Sequence, residues 1–174
     1  SETTHFESSK ELDNVKMIGH DAKVITEMAL KDSKDEVFCV QYDPTDNYVA
    51  YGWEDGQIRL LNLKTKEINY LTGIPKAKKE LQSPITCLKW KPGTQNFATS
   101  NILSTASDGE VFCWQANSGE LLYKFKEEDE NEIYVCEYNP SGLQFATAGN
   151  DRIIRIYDDV TQELVTRLTG KTDV

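Results

Sequence analysis

The sequence predicts an all-β protein built from repeated antiparallel sheets, and three observations indicate this fold class. Pro44, Pro92 and Pro140 follow one another at intervals of 48 residues, and a fixed period of this size is typical of repeat architectures. Each proline ends a short run in which the residues seven, four and two positions earlier are apolar. Further short apolar runs follow, separated by turn residues, and this alternation is typical of β-strands.

Four strands are predicted in each repeat. The first ends at the proline, which cannot donate a hydrogen bond to a neighbouring strand. The second leads into a dipeptide that favours a tight hairpin: Asp55-Gly56, Asp108-Gly109 or Asn150-Asp151. The third carries a large apolar residue six positions after the aspartate: Leu61, Trp114 or Tyr157. A polar turn then precedes the fourth, so we predict three four-stranded sheets, at residues 36–73, 84–126 and 132–170.

Two segments fall outside this regular pattern. Residues 22–31 are predicted to form a lone outer strand of an incomplete sheet, and residues 1–21 are polar and irregular, as expected for a flexible arm. The second repeat also has extra residues around 93–100. We expect a longer loop there between its first and second strands, serving either as a binding loop or as a tolerated insertion.

Over about residues 24–170 the repeats resemble WD40 repeats, which form the blades of a β-propeller. The typical Trp-Asp pair is replaced by Leu61-Asn62, Trp114-Gln115 and Tyr157-Asp158, and no Gly-His pair directly precedes a first strand. The hairpin aspartate is retained in all three copies without its usual histidine partner. The resemblance therefore implies a hydrogen-bond network that is incomplete in each blade.

The resemblance also implies a partial WD40-like β-propeller, because about four to eight blades close a ring. We expect the chain to be the N-terminal portion of a longer propeller, its ring completed by the remaining blades. The alternatives are assembly from several copies and an open arc held by a partner protein. An open arc needs such a cover because exposed sheet faces favour aggregation.

Composition restricts the class of partner. The chain has 19 Lys+Arg against 29 Asp+Glu, a formal net charge of −10, which disfavours nucleic acid and anionic membranes and is compatible with a basic protein. No segment approaches the 18 or so consecutive apolar residues of a membrane span. Four cysteines lie singly in strand positions: Cys39, Cys87, Cys113 and Cys136. Reduced core thiols predict a cytoplasmic protein, with a nuclear or cytoskeleton-associated location as the alternative.

The sequence offers little for catalysis. Nucleophilic triads need a histidine near the nucleophile, and the two histidines, His5 and His20, both precede the repeats. The cysteines follow the repeat pattern rather than a metal-ligand spacing, and no glycine-rich phosphate loop is present. We therefore expect no enzymatic activity, no cofactor and no metal.

The resemblance indicates where a partner would bind. In WD40 proteins, the hairpins after the second strand and the loops between blades share one face, which commonly binds peptides. Matched by position, the contact residues are six before each proline and directly before each hairpin aspartate: Phe38, Thr86, Tyr134, Glu54, Ser107 and Asn150. Trp53 is a further candidate anchor, with packing against the next blade as the alternative. Phe38 and Tyr134 could instead fill a strand face.

The connections between repeats differ in charge. The first contains Lys76, Lys78 and Lys79, and the second is acidic over residues 127–130. We expect Glu127, Glu128 and Glu130 to be solvated. The two oppositely charged connections either orient a bipolar partner or simply carry ordinary surface charge. The resulting prediction is a non-catalytic protein–protein interaction scaffold within a multiprotein complex. The alternatives are a substrate receptor or adaptor of a ubiquitin ligase and a structural component of a cytoskeletal or ciliary assembly.

Overall fold

The computed structural model describes residues 36–71, 83–94, 96–127 and 130–170, and this part of the chain contains twelve β-strands. The predicted arm at 1–21, the lone strand at 22–31, the lysines of the first connection and Glu128 lie outside the described residues.

The strands form three separate four-stranded antiparallel sheets, which we call blades 1, 2 and 3. Each blade takes its strands in chain order, from an inner first strand to an outer fourth strand. Blade 1 contains β1 (Val37–Tyr42), β2 (Tyr48–Trp53), β3 (Ile58–Asn62) and β4 (Ile68–Leu71). Blade 2 contains β5 (Ile85–Trp90), β6 (Asn101–Ala106), β7 (Glu110–Gln115) and β8 (Leu121–Lys126). Blade 3 contains β9 (Ile133–Tyr138), β10 (Gln144–Gly149), β11 (Ile153–Asp158) and β12 (Leu164–Thr169). The predicted all-β class is confirmed.

The hairpin aspartates explain why the second and third strands connect so tightly. In each blade the aspartate side chain accepts a hydrogen bond from the backbone N–H two residues later, at 3.0 Å for Asp55, 3.2 Å for Asp108 and 3.0 Å for Asp151. This local turn is one that aspartate readily forms. Gly109 follows with φ +86°, and a Cβ there would lie 2.7 Å from the Asn131 carbonyl oxygen, so glycine suits both its conformation and its surroundings.

The blades pack through their inner strands, since β1 lies beside β5 and β5 beside β9. In blades 2 and 3 the residues seven, four and two positions before the proline are buried against the preceding blade. Gly52 permits a close approach between blades 1 and 2, because a Cβ there would lie 2.5 Å from Ile85 Cγ2. Burial of each Leu or Ile side chain at such contacts stabilises the fold by about 1.5–3 kcal/mol.

The same repeat positions are exposed in blade 1. Val40 is 66% exposed, whereas its equivalents Leu88 and Cys136 are 2% and 1% exposed. Val37 and Tyr42 show the same contrast with their buried equivalents. The face of blade 1 that corresponds to these packed surfaces is therefore open among the described residues.

Blade 3 has an open face on its opposite side. Ile154 is 43% exposed, although its equivalents, Ile58 and Val111, are 1% and 0% exposed because the next blade covers them. Val135 is also exposed on β9, whereas Cys87 is half-buried between blades. The described residues thus form an open, partial propeller.

The extra residues of blade 2 form the connection from β5 to β6, as predicted, and include a short 3-10 helix (Phe97–Thr99). Phe97 stacks on Tyr48 of blade 1 with ring centroids 3.8 Å apart and also lies beside Trp90. The insertion therefore contributes to packing between blades 1 and 2.

Candidate functional site

The first three candidate contact residues all lie at β-bulges. In the pairing of β1 with β2, the register skips Phe38, and the equivalent pairings skip Thr86 in β5 and Tyr134 in β9. A bulged residue has no directly opposed partner, and the local distortion re-aims its side chain. Phe38 and Tyr134 are accordingly 50% and 55% exposed despite lying within strands.

The other three candidates lie next to these bulges. Glu54 donates its backbone N–H to the Glu36 carbonyl at 2.9 Å, closing the same end of blade 1 that carries Phe38. Ser107 makes the equivalent bond to Pro84 at 3.0 Å, and Asn150 makes it to Glu132 at 3.1 Å. In each blade the structure therefore brings the bulge residue and the hairpin residue to one end. We call the set Phe38, Thr86, Tyr134, Glu54, Ser107 and Asn150 the loop face.

In blades 1 and 3 the loop face and the residues beside it combine aromatic and acidic side chains. Glu54 is exposed, and its carboxylate accepts the Glu36 backbone N–H at 3.3 Å. The Tyr134 hydroxyl donates to the Glu132 carboxylate at 3.2 Å, and this bond raises the pKa of Tyr134 above its usual range. The exposed carboxylates can attract a cationic side chain, and the aromatic rings beside them provide a surface on which it can stack.

Blade 2 contributes less to this surface. Thr86 is half-buried, and its hydroxyl lies 3.1 Å from both the carbonyl oxygen and the hydroxyl of Thr105. Because the Thr86 hydroxyl already forms hydrogen bonds within the blade, it has fewer hydrogen bonds left to offer a partner. Ser107 is also half-buried.

Trp53 differs from its expected role as an exposed anchor. Its side chain is 4% exposed, and the Arg59 guanidinium lies over its ring, with Cζ 4.1 Å from the ring centroid. The buried ring contributes to packing in blade 1. The residue at the equivalent position of blade 3 is Gly149, where a Cβ would lie 2.5 Å from Asn131 Oδ1.

The acidic connection before blade 3 requires a correction, because Glu127 is not solvated. Its side chain is buried and accepts hydrogen bonds from Asn131 Nδ2 at 2.7 Å, Thr147 Oγ1 at 2.5 Å and the Tyr157 hydroxyl at 3.1 Å. Arg155 Nη1 lies 3.3 Å from the Glu127 carboxylate. The WD40 resemblance implied an incomplete hydrogen-bond network in each blade. In blade 3 such a network is nevertheless present, with the Glu127 carboxylate as its central acceptor.

Arg155 links this buried carboxylate to the hairpin. Its Nη2 lies 2.6 Å from Asp151 Oδ2, and the hydrogen bonds and charge of Arg155 lower the pKa of Asp151 against the opposing effect of burial. Sequence reasoning missed the arginine, although an arginine stands four residues after the hairpin aspartate in both blade 1 and blade 3. That shared spacing was the available signal.

A second buried carboxylate joins blades 2 and 3. Asp159 accepts hydrogen bonds from the Tyr123 hydroxyl at 2.7 Å and the Tyr138 hydroxyl at 2.8 Å, and Lys91 Nζ lies 2.5 Å from its other oxygen. Burial and these contacts raise the pKa of both tyrosines far above the usual range. Nothing in the repeat pattern identifies Asp159, because its partners lie in β8, at the end of β9 and directly after β5.

Cys87 and Cys136 meet between the inner strands of blades 2 and 3. The Cys87 thiol donates to the Cys136 carbonyl oxygen at 3.6 Å. A hydrogen bond from the Cys136 side chain lowers the pKa of Cys87 to about 6 despite partial burial, whereas burial raises the pKa of Cys39 to about 12.

The described residues contain neither a metal-binding cluster nor a membrane-spanning helix. Within residues 36–71, 83–94, 96–127 and 130–170, no three His, Cys, Asp or Glu side chains lie close enough together to hold a metal ion. In the same part of the chain, no helix has the length and apolar character needed to cross a bilayer.

Comparisons with known proteins agree with this architecture. The family model described as the Pep3/Vps18/deep orange beta-propeller domain matches residues 11–166. Protein NEDD1 of Homo sapiens is 31% identical over 145 residues, which are 83% of this chain and 21% of that protein. Meiotic fizzy-related protein 2 of Schizosaccharomyces pombe is 24% identical over 135 residues, 75% of this chain and 24% of that protein. The chain thus spans about a fifth to a quarter of the length of these curated relatives.

The family match covers blades 1 and 2 in full and blade 3 as far as residue 166, and each blade is a four-stranded antiparallel sheet, as in a β-propeller. With its WD40-like repeats, the chain belongs to the Pep3/Vps18/deep orange β-propeller domain family.

Proposed function

We propose that the loop face is the partner-binding surface of a non-catalytic scaffold and that it binds a basic segment of a protein. The observation that carries this proposal is the exposure of Phe38 and Tyr134 at bulges. Aromatic side chains held on a rigid sheet lose little conformational freedom on binding and often contribute most of the binding energy.

The charge of the surrounding residues supports a basic partner. Glu54 and Glu132 are exposed beside the two aromatic residues, and Glu36 and Glu130 lie exposed at the same ends of blades 1 and 3. Complementary charge steers association and selects against acidic competitors. The same charge disfavours nucleic acid and anionic membranes as ligands.

We further propose that another blade of the same type covers the open face of blade 1. Val37, Val40 and Tyr42 occupy positions that are buried by a preceding blade elsewhere in the structure. The curated relatives are four to five times longer than the matched region, which leaves room for such blades in a longer protein. A second copy of the chain is the competing occupant of this face. Light scattering of this chain in solution distinguishes the two, because a second copy would double the measured mass.

The test of the loop face uses a double variant, Phe38→Ala with Tyr134→Ala, in the full protein. Affinity-purified wild type and variant are compared by quantitative mass spectrometry, and we expect recovery of specific partners to fall at least tenfold. Val160→Ala is the matched control, since Val160 is 72% exposed at the turn between β11 and β12, at the opposite end of blade 3 from Tyr134 and Asn150. Equal recovery with both variants would refute the loop face as the binding surface.

The recovered partners also distinguish the predicted cellular roles. Ligase subunits would indicate an adaptor, and filament or ciliary proteins would indicate a structural component. A basic partner should dissociate faster at high salt, because the charges at the rim of the interface are screened. The cytoplasmic location stays a prediction, which fluorescence imaging of the tagged full protein would test.

A further inference from the structure

A polar pocket lies between blade 1 and the insertion of blade 2, at the opposite end of blade 1 from the loop face. Its volume is about 330 Å³, which is within the range typical of ligand-binding pockets. Its walls are the turns that follow β1 and β3 and the start of the short helix in the insertion. Tyr48 pairs with Asn62 at this end of blade 1, whereas Val37 pairs with Trp53 at the other. The polar pocket is therefore separate from the loop face and is formed entirely by described residues.

The apolar wall of the polar pocket is a stacked pair of rings, one from each blade. The rings of Tyr48 and Phe97 have their centroids 3.8 Å apart and their planes only 9° from parallel. Both side chains are half-buried, so part of each remains accessible. Phe97 belongs to the extra residues of blade 2, and the connection from β9 to β10 in blade 3 contains no such helix. The insertion thus forms a wall of the pocket, which favours its interpretation as a binding loop.

Two side-chain amides of the polar pocket have their oxygens already bonded to the backbone. Asn62 Oδ1 accepts the backbone N–H groups of Lys64 at 2.9 Å and Thr65 at 3.0 Å. Asn96 Oδ1 accepts the backbone N–H of Ala98 at 3.0 Å. The Nδ2 groups of Asn62 and Asn96 have no acceptor among the described residues. The pocket therefore has two amide donors available for a ligand.

A third amide of the polar pocket has its oxygen available instead. Asn47 Nδ2 donates to the Thr45 carbonyl oxygen at 3.0 Å and to the Thr45 hydroxyl at 2.9 Å, which leaves Oδ1 as an acceptor. The turn that carries Asn47 is held by the buried Asp43 carboxylate, which accepts the backbone N–H of Asn47 at 2.8 Å and that of Tyr48 at 2.7 Å. Because these polar groups are held in place before a ligand arrives, binding costs less conformational entropy.

The charge of the polar pocket is opposite to that of the whole chain. Its lining contains Lys64 and no carboxylate, although the chain has a formal net charge of −10. Lys64 is exposed and forms no ion pair with another described residue. An ammonium group in this position attracts an anionic group of a ligand.

We propose that the polar pocket binds an extended peptide segment that carries an acidic side chain. A peptide backbone presents both N–H and C=O groups, and these complement the one acceptor and two donors of the three asparagine side chains. The carboxylate of the peptide pairs with Lys64, and an apolar neighbour packs against the rings of Tyr48 and Phe97. Because the loop face lies at the other end of the blade, an acidic segment here does not compete with a basic segment there.

The test uses the blocked peptide acetyl-alanyl-glutamyl-alanine amide, with its glutaminyl counterpart as the uncharged control. Saturation-transfer difference NMR measures the binding of each peptide to the full protein. We expect the glutamyl peptide to bind with a Kd of about 1 mM or below. The glutaminyl peptide should bind at least about threefold more weakly, and about 1 M NaCl should remove this difference by screening the Lys64 charge.

Asn62→Asp tests the pocket without disturbing its turn. The aspartate keeps an oxygen for the backbone N–H groups of Lys64 and Thr65 and replaces only the available amide donor with a charged acceptor. We expect it to weaken binding of the glutamyl peptide by at least about fivefold. Asn139→Asp is the matched control, because Asn139 Oδ1 similarly accepts the backbone N–H of Leu143 at 3.1 Å in a turn of blade 3. It should leave peptide binding unchanged.

The double variant Phe38→Ala with Tyr134→Ala separates this proposal from that of the loop face. It should leave binding of the glutamyl peptide unchanged, and loss of binding would place the peptide on the loop face and overturn the proposal. The proposal is also overturned if the glutamyl peptide does not bind, if the two peptides bind equally, or if Asn62→Asp binds as tightly as the wild type.

Discussion

Replacing Glu127 with glutamine tests the buried network of blade 3 most directly. The amide side chain would keep the size of the glutamate but lose its charge and one acceptor oxygen. Asn131 and Arg155 both approach Oε2, whereas Thr147 and Tyr157 both bond to Oε1. Whichever oxygen becomes the amide nitrogen, two contacts lose their acceptor.

The expected loss of stability follows from these contacts. Removing one partner of a buried ion pair costs about 3–5 kcal/mol, because the remaining charge stays buried. Arg155 keeps Asp151 at 2.6 Å, so we expect a value at the lower end, about 3 kcal/mol. That corresponds to a fall of more than about 100-fold in the folding equilibrium constant.

Urea unfolding followed by tryptophan fluorescence measures this difference. Glu130→Gln is the matched control, because Glu130 belongs to the same acidic run but is exposed, and it should change stability by less than about 0.5 kcal/mol. Combining Glu127→Gln with Arg155→Gln should cost less than the sum of the two single variants, since both remove the same ion pair. Equal stabilities for Glu127→Gln and Glu130→Gln would refute the reasoning.

Three further predictions concern contacts between blades. Asp159→Ala should destabilise the protein by about 2–4 kcal/mol in urea unfolding, because three donors from blades 2 and 3 lose their shared acceptor. In the isolated chain, Val40→Asp should leave the free energy of unfolding nearly unchanged, because Val40 is exposed. Leu88→Asp at the equivalent buried position should abolish folding, and circular dichroism measures both effects. At about pH 7.5 iodoacetamide should label Cys87 before Cys39, and the rate for Cys87 should fall as pH decreases through about 6.

Each of these predictions has a contradicting result. An Asp159→Ala variant as stable as the wild type would mean that the hydroxyls and the lysine find other partners. Strong destabilisation by Val40→Asp in the isolated chain would mean that the face of blade 1 is already covered. If mass spectrometry finds Cys87 and Cys39 alkylated at equal rates, the pKa of Cys87 is not lowered relative to that of Cys39.

The sequence predicted much of the fold because its information is local and repeated. Proline at a strand exit, aspartate in a hairpin and apolar residues at a fixed spacing each specify the backbone over a few residues. The same register placed Phe38 and Tyr134 at one end of their blades, where the structure has them exposed. The bulges that expose them were not predicted, since they depend on how neighbouring strands pair.

The buried polar clusters could not be predicted in the same way. Glu127 stands in an acidic run whose composition is typical of a solvated loop, and it is buried only because Arg155, Thr147 and Tyr157 from other strands converge on it. Trp53 has the sequence position of a surface anchor, yet its ring is buried beneath Arg59.

By itself, the sequence determined that this protein is a set of four-stranded, WD40-like blades and which ends of those blades present loops. Only the tertiary structure decided which charged residues are buried, which aromatic residues are exposed and which blade faces are open. The physical reason is that strand periodicity and turn chemistry depend on residues close together in the chain. Burial and charge pairing, in contrast, depend on side chains that meet only when the blades pack.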